Sequence, residues 1–279
     1  MTSAPAVTVV MPCLNQAAYV GAAIDSVLAQ SPRPELIVCD GESADGTLSI
    51  LEGYGESIRW ISESDTGQSN AINKGFRLAS GDWLTWLNSD DLLAASALDA
   101  LPPLDDQPTI VFGDYGVIDS EGKLVFVQKT IPVSARMMLF STNCIGQQGV
   151  FFNRAVYALI GEVDEDLHYL MDYELWLRAM TSGVRIVHVR EVLGYFRWHE
   201  EAKTLQGDQR ALEEARDIYG RYAGKAFGTS TPPQWGSFSY RWRRLAYRCV
   251  RQCLRLSRRG QMNVLPRSRL MDAHRGRNE

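Results

Sequence analysis

The chain has 279 residues, 45% hydrophobic and 22% charged, with a net charge of −4. This is the composition of a folded globular protein, long enough for one large domain or two small ones and for a core that needs no disulfides. It excludes a disordered chain, a collagen and a disulfide-knotted mini-protein. No window reaches the roughly 18 uncharged apolar residues of a membrane-spanning helix, and the opening Met-Thr-Ser-Ala-Pro-Ala lacks the basic and apolar regions of a secretory signal. Five cysteines, none in a Cys-x-x-Cys pair, read as reduced thiols of a cytoplasmic protein.

In chain order, Val7–Met11 is a short apolar, β-branched run that stops at Pro12, as a buried strand does. Residues 17–30 carry Val20, Ala23, Ile24, Val27 and Leu28 on one helical face, closed by Pro32 and Pro34. Glu35–Cys39 is a second strand ending at Asp40-Gly41. Thr47–Tyr54 predicts a helix, Ile58–Ser62 a strand, Gln68–Ala79 a helix, and Trp83–Leu87 a strand running into Asn88-Ser89-Asp90-Asp91. This alternation argues for an open, mainly parallel α/β sheet flanked by helices, in which ligands bind at the carboxyl ends of strands. Pro12–Asn15, Asp40–Asp45, Asp65–Gly67 and Asn88–Asp91 all fall there.

The second half is less regular. Ile110–Phe112, Lys123–Gln128 and Val184–Val189 read as strands, and Arg154–Ile160 and Tyr173–Ser182 as helices. A linker-like stretch near Thr229–Pro233 divides a body, residues 1–228, from an extension, residues 229–279. From Trp235 onward there are twelve arginines, no lysine and two acids, a local charge of +10 on a body of −14. Tyr240–Arg259 carries apolar residues at Trp242, Leu245, Ala246, Cys249, Val250, Cys253, Leu254 and Leu256, among arginines. Two readings stand: a basic amphipathic helix lying on an anionic membrane surface, or a helix docked on the acidic body. Nucleic acid is not expected, because no nucleic-acid module accompanies the charge.

Asn88–Asp91 puts two acids directly after an apolar strand. Carboxylate oxygens suit a hard cation such as Mg²⁺ that bridges to substrate phosphates; Ser and Asp equally suit the N-cap of a following helix. Neither Gly-x-x-x-x-Gly-Lys-Ser/Thr nor Gly-x-Gly-x-x-Gly is present, which removes support for phosphate-loop NTPases and dinucleotide enzymes.

Six segments together resemble family 2 glycosyltransferases. Val9-Val10-Met11-Pro12-Cys13-Leu14-Asn15 is similar to the family's opening motif, and Val38–Thr47 to its Asp-Gly-Ser-x-Asp-Gly-Thr block. Ser62–Gly75 resembles its Asp-x-Gly block, and Leu87-Asn88-Ser89-Asp90-Asp91 its metal motif. Gln147–Phe152 and Met171–Arg178 resemble the acceptor-side blocks of bacterial members. The resemblance covers about residues 7–200 and implies a GT-A fold, a nucleotide-sugar donor (UDP- or dTDP-linked) and Mn²⁺ or Mg²⁺. It implies that Asp40 contacts the base, with Pro12, Leu14 and Asp65 lining the same pocket. Asn15, Asn70, Asn88 and Ser89, in the same motifs, join the donor side. Asp90, with Asp91 beside it, would bind the metal, and Asp172 would be the catalytic base. Asn88 stands where the metal motif often has Asp, and Met171 where an acid often precedes the base.

Inverting transfer needs one carboxylate to take the acceptor proton and a cation to neutralise the leaving diphosphate. Asp172 also reads as an acid stabilised by a helix dipole; Glu174 is a rival base that would face away from it. His199 would complete the metal shell or pack as an ordinary histidine, and Arg197 would contact the diphosphate. Gln147 and Gln148 could bind sugar hydroxyls. Trp83, Trp86 and Trp176 read as core, and Trp198 could pave a sugar site. The expected enzyme inverts the anomeric centre and transfers a sugar to a glycan or lipid-linked acceptor. It would serve bacterial surface-polysaccharide synthesis, peripheral on the inner face of the membrane. A nucleotidyltransferase on a similar frame, or a catalytically silent sugar-binding or scaffold protein, are the alternatives.

Overall fold

The computed structural model describes residues 6–140, 143–199, 209–237, 239–241, 243–245 and 248. The first half alternates as expected: β1 (Val7–Cys13), α1 (Val20–Leu28), β2 (Glu35–Asp40), α2 (Thr47–Gly53), β3 (Arg59–Ser62), α3 (Gln68–Leu78) and β4 (Trp83–Trp86). A two-residue strand β5 (Leu92–Leu93) follows, then β6 (Thr109–Ile118), β7 (Leu124–Gln128) and α4 (Ala135–Phe140). The chain continues through β8 (Val150–Asn153), α5 (Arg154–Ile160), α6 (Met171–Thr181), β9 (Arg185–Arg197) and α7 (Gln209–Phe227).

Among the described residues the strands form one sheet in the order β3-β2-β1-β4-β8-β6-β9-β5, with β7 paired to the other end of β6. β1, β2, β3 and β4 run parallel. Past β4 the sheet is mixed: β8 is antiparallel to both β4 and β6, β7 is antiparallel to β6, and β6 and β9 are parallel. Parallelism thus holds for the donor-side half and is only partial beyond it.

Both faces of the sheet are covered at β1, β2, β4 and β8, which is why these strands read as continuous apolar runs. Successive residues point to opposite faces. Val10, Ile37, Leu84, Trp86, Ile110 and Phe152 enter the core under α3, α4, α6 and α7. Val9, Met11, Leu36, Val38, Trp83, Val111 and Phe151 enter the one under α1 and α2. Gly75 lets α3 lie against β1: a Cβ there would sit 2.2 Å from Val10 Cγ1.

Three elements differ from expectation. The strand expected at 184–189 extends to Arg197, because a bulge near Gly113 absorbs the polar Arg190-Glu191 and pairing with β6 then resumes. The helix expected from Tyr173 starts at Met171, which puts Asp172 in its first turn. Helix α7 was not expected at all: its buried stripe is Glu214, Ile218, Tyr219, Tyr222 and Ala223, more polar and aromatic than aliphatic.

Packing also crosses the expected 228/229 boundary. Tyr240 is buried, its ring 5.1 Å from Tyr219, 5.3 Å from Phe140 and 4.9 Å from Trp235. Leu245 is exposed. Trp242, Ala246, Cys249, Val250, Cys253, Leu254 and Leu256 lie outside the described residues. Among the described residues no helix is long and apolar enough to cross a membrane.

Candidate active site

The parallel strands β1, β2 and β4 deliver Cys13, Asp40 and Trp86 to one edge. Asp40 is buried there and closes its own turn: Oδ2 accepts from the Ser43 N–H (3.0 Å) and the Ser62 hydroxyl (2.7 Å), and Oδ1 from the Ser43 hydroxyl (2.5 Å). The loops after β1 and β2 are laced together. The Asn15 N–H donates to Ser43 Oγ (2.7 Å), the Ala44 N–H to Asn15 Oδ1 (2.9 Å), and the Ala17 N–H to Asp45 (2.9 Å). Asn15 and Glu42 hold φ of 53° and 64° in this lattice, a region that asparagine tolerates and glutamate rarely enters.

Gly41 is packed so closely by its neighbours that it has no room for a side chain. A Cβ on it would lie 2.6 Å from Asp65 Oδ2 and 3.5 Å from Leu14 Cδ1. Leu14 is 51% exposed. The Asp65 carboxylate is fixed by the Gly67 N–H (2.8 Å). Leu14 and Asp65, two of the residues expected in one pocket, therefore meet beside Gly41. Pro12 is buried within β1, opposite Cys39. Asn70 turns elsewhere, donating to Glu165 (2.9 Å).

At the end of β4 the chain turns on Asn88, and a strand follows rather than the helix that an N-cap would need. Asn88 accepts from Gln68 (2.8 Å) and donates to Asp91 (3.3 Å). Ser89 is buried against the Cys13 thiol. The two acids part company. Asp91 is 1% exposed, and its Oδ1 accepts the Arg197 N–H (2.8 Å). Burial, with the Asp90 carboxylate adding to it, pushes its pKa well above the usual carboxylate range. The Asp90 side chain is 19% exposed and faces His199, whose Nε2 is 2.9 Å from Oδ2.

Strand β9 brings this histidine in. Arg197 is buried: its Nε donates to the Asp90 carbonyl (2.7 Å) and its Nη1 to the Asp119 and Ser120 carbonyls (3.2 Å each). Tyr19, which sequence reasoning missed, fills the gap between them. Its ring is 5.0 Å from the His199 ring and 4.9 Å from the Arg197 guanidinium. Arg197 therefore holds the Asp90 backbone from beneath. Among the described residues no three His, Cys, Asp or Glu side chains gather as a closed metal cage. The Asp90–His199 pair fits a hard cation that takes one or two protein ligands and shares the rest with substrate phosphates and water.

Asp172 lies on the acceptor side, at the head of α6. Its Oδ1 accepts from the Tyr173 N–H (2.6 Å) and its Oδ2 from Asn143 Nδ2 (2.8 Å). Burial pushes its pKa up to about 6, against the pull of those donors. Glu174 is 2% exposed and bound to Arg178 (2.9 Å) and the Tyr222 hydroxyl, so the rival base is taken up in packing on α7. Trp86 and Trp176 stack at 5.5 Å, coupling the end of β4 to α6. Gln147 donates to the Trp86 carbonyl (2.5 Å), and its buried Oε1 has no hydrogen-bond partner among the described residues. Gln148 is buried under Gly194. Another residue that sequence reasoning missed is Glu214 on α7. Its carboxylate accepts the N–H groups of His168 (2.8 Å), Tyr169 (2.9 Å) and Leu170 (3.0 Å), directly before α6.

The chain is similar to known proteins. Residues 8–162 match the family model described as glycosyl transferase family 2. An uncharacterized glycosyltransferase of Mycobacterium tuberculosis is 33% identical over 80% of this chain and 87% of its own length. A PGL/p-HBAD biosynthesis glycosyltransferase of Mycobacterium bovis is 28% identical over 68% of this chain and 76% of its own. Among solved structures, S. aureus TarS 1-349 in complex with UDP-GlcNAc superposes with a TM-score of 0.60 at 17% identity, over 88% of this chain and 72% of that one. Against a longer TarS chain the coverage of the partner falls to 43%. A mannosyltransferase from Pyrobaculum calidifontis, in complex with GDP-Man and Mn²⁺, gives 0.60 at 16% identity over 99% of this chain and 81% of that one. The family match and the mycobacterial relative show that the chain belongs to glycosyl transferase family 2 and is a glycosyltransferase, with the GT-A fold of its solved neighbours.

Proposed function

We propose that the enzyme inverts the anomeric centre as it moves a sugar from a nucleotide-sugar donor to a hydroxyl of a glycan or lipid-linked acceptor. The observation that carries this is Asp172: a partly buried carboxylate with its pKa near 6 and no cationic partner among the described residues, while Glu174 is locked to Arg178. Such a group is ionised at neutral pH yet basic enough to take a proton, and no covalent nucleophile is required. Leu14, Gly41 and Asp65 receive the nucleotide base, with Asp40 fixing the turn beneath it. Asp90 and His199 would hold Mn²⁺ or Mg²⁺, and the chemistry such an ion would supply there is Lewis-acid neutralisation of the diphosphate charge. Asp91 and Arg197 shape that turn without touching the cation.

The mycobacterial relative named for PGL/p-HBAD biosynthesis supports a role in building an envelope glycan. The basic extension supports a peripheral position at the cytoplasmic face of the membrane. A panel of UDP-, dTDP- and GDP-sugars with Mn²⁺, read by thermal shift, tests the donor assignment, because a bound donor raises the melting temperature by mass action. One donor should stabilise the wild type, lose that effect with chelator, and fail to stabilise Asp90→Ala. Full metal-dependent binding by Asp90→Ala would break the metal assignment.

A further inference from the structure

The proposed base is held by a residue that no motif marks. Asn143 lies between α4 and β8, far from Asp172 in sequence. Its Nδ2 is 2.8 Å from Asp172 Oδ2, and its own Oδ1 accepts the Ile145 N–H at 3.3 Å. That second bond fixes the sense of the amide, with oxygen toward the Ile145 N–H and NH₂ toward the carboxylate.

The other groups around Asp172 face away from it. The Tyr173 hydroxyl donates to the Met138 carbonyl on α4 (2.9 Å). Glu174 turns to Arg178 and to Tyr222 on α7. Glu214 on α7 grips the main chain before the helix, with Arg210 beside it. The Cys144 thiol is buried next to Asn143. Among the described residues, Asn143 is thus the side chain that hydrogen-bonds the carboxylate.

We propose that Asn143 is a positioning residue for the transfer reaction, its amide N–H fixing the rotamer of Asp172 and holding its carboxylate in the ionised form. The inference rests on Asp172 being the base. A donor to a carboxylate favours the charged form, and burial alone would leave this acid protonated over more of the neutral range. The same bond selects one rotamer, so the acceptor hydroxyl meets a pre-set oxygen.

The test reads the carboxyl directly, with no need of a substrate. Aspartate labelled with ¹³C at Cγ is titrated by NMR in the full-length protein, the Asp172 signal being assigned by its loss in Asp172→Asn. The wild-type signal should titrate near 6. In Asn143→Leu it should move up by about one pH unit, the usual worth of a hydrogen bond to a charged group. Asn143→Ala should give the same shift and serves if the leucine variant fails to fold. Asn143→Ser, which keeps a donor, should recover part of it. With the donor that the nucleotide-sugar panel identifies, the acid limb of turnover should move with the titration. An unmoved Asp172 titration in both Asn143→Leu and Asn143→Ala, with only a lower melting temperature, would overturn the proposal and leave Asn143 a loop residue. Wild-type turnover by Asp172→Asn would instead bring down the reading of the base, whatever the titration shows.

Discussion

The donor side and the acceptor side of this site lie along one sheet but are built in different ways. On the donor side, short loops after β1 and β2 lock to each other: Asn15 with Ser43 and Ala44, Gln16 with Thr47, Ala17 with Asp45. Partners there are about one β-α-β unit apart. At the metal turn after β4 and on the acceptor side, each functional group is held by something distant. Asp90 is met by His199 and Arg197, Asp172 by Asn143, and the head of α6 by Glu214 on α7. The first kind of site is set once a local supersecondary unit forms. The second needs the whole domain to be in place, so damage to either side should look different.

The sharpest way to separate them is Asp172→Asn, which keeps shape but cannot accept a proton. Turnover should fall roughly a hundred-fold or more, with nucleotide-sugar affinity unchanged by calorimetry; an equal loss of affinity would move Asp172 to the donor side. The same variant has a stability signature. The folded pKa of Asp172, about 6, lies above its ordinary 3.8, so the fold favours the protonated acid. Its contribution is fully present below pH 4 and is lost as pH rises through 6. Asp172→Asn should therefore melt higher than wild type at pH 7.5, and this gain should vanish near pH 4. In the wild type, turnover should show an acid limb near pH 6, because the base works only when ionised.

Glu214→Ala tests the distant support. It strips a buried carboxylate from three main-chain N–H groups at the head of α6, and a cost of about 2 kcal/mol in stability follows from leaving such groups unpaired. Turnover should fall with little change in donor affinity. A variant as stable and as active as wild type would show that α7 merely covers the core.

This contrast also explains what could be read from the sequence. The donor half was legible because β1, β2 and β4 are buried on both faces, so each is an unbroken apolar run ending at its functional turn. The distant partners of the metal turn and the acceptor half were not. Arg190-Glu191 breaks the apolar run of β9, hiding the stretch that carries Arg197 and His199 to the site. The buried stripe of α7 is led by Glu214 and two tyrosines, which apolar periodicity undercounts. The roles of Asn143 and Tyr19 come only from what lies opposite them in space. Asp90 and Asp91 look alike in the sequence; only burial shows one facing His199 and the other facing the main chain of β9.

Gly41→Ala probes the donor side with a smaller effect. The added methyl would stand 2.6 Å from Asp65 Oδ2, so the carboxylate must shift. Nucleotide-sugar binding should weaken by about tenfold, roughly 1.4 kcal/mol, with turnover at saturating donor nearly unchanged. A fall in turnover without a change in affinity would mean that the donor does not bind against Leu14, Gly41 and Asp65.

The smallest effect on the enzyme itself is expected from the basic extension, though it bears on where the enzyme works. Cutting the chain at Pro233 is a poor test, because Trp235 and Tyr240 pack against Tyr219 and their loss would open that ring cluster. Reversing Arg251, Arg255 and Arg258 to glutamate leaves the cluster whole. Arginines near an anionic bilayer contribute about 1 kcal/mol each, screened by salt. The wild type should therefore sediment with phosphatidylserine-containing vesicles at low salt and release as salt rises. The triple reversal should stay in solution, with unchanged melting temperature and unchanged donor binding. If the reversed chain still sediments, the extension is not the membrane contact. If it melts several degrees lower, those arginines serve the acidic body, and the extension belongs to the fold as the loops of the donor side do.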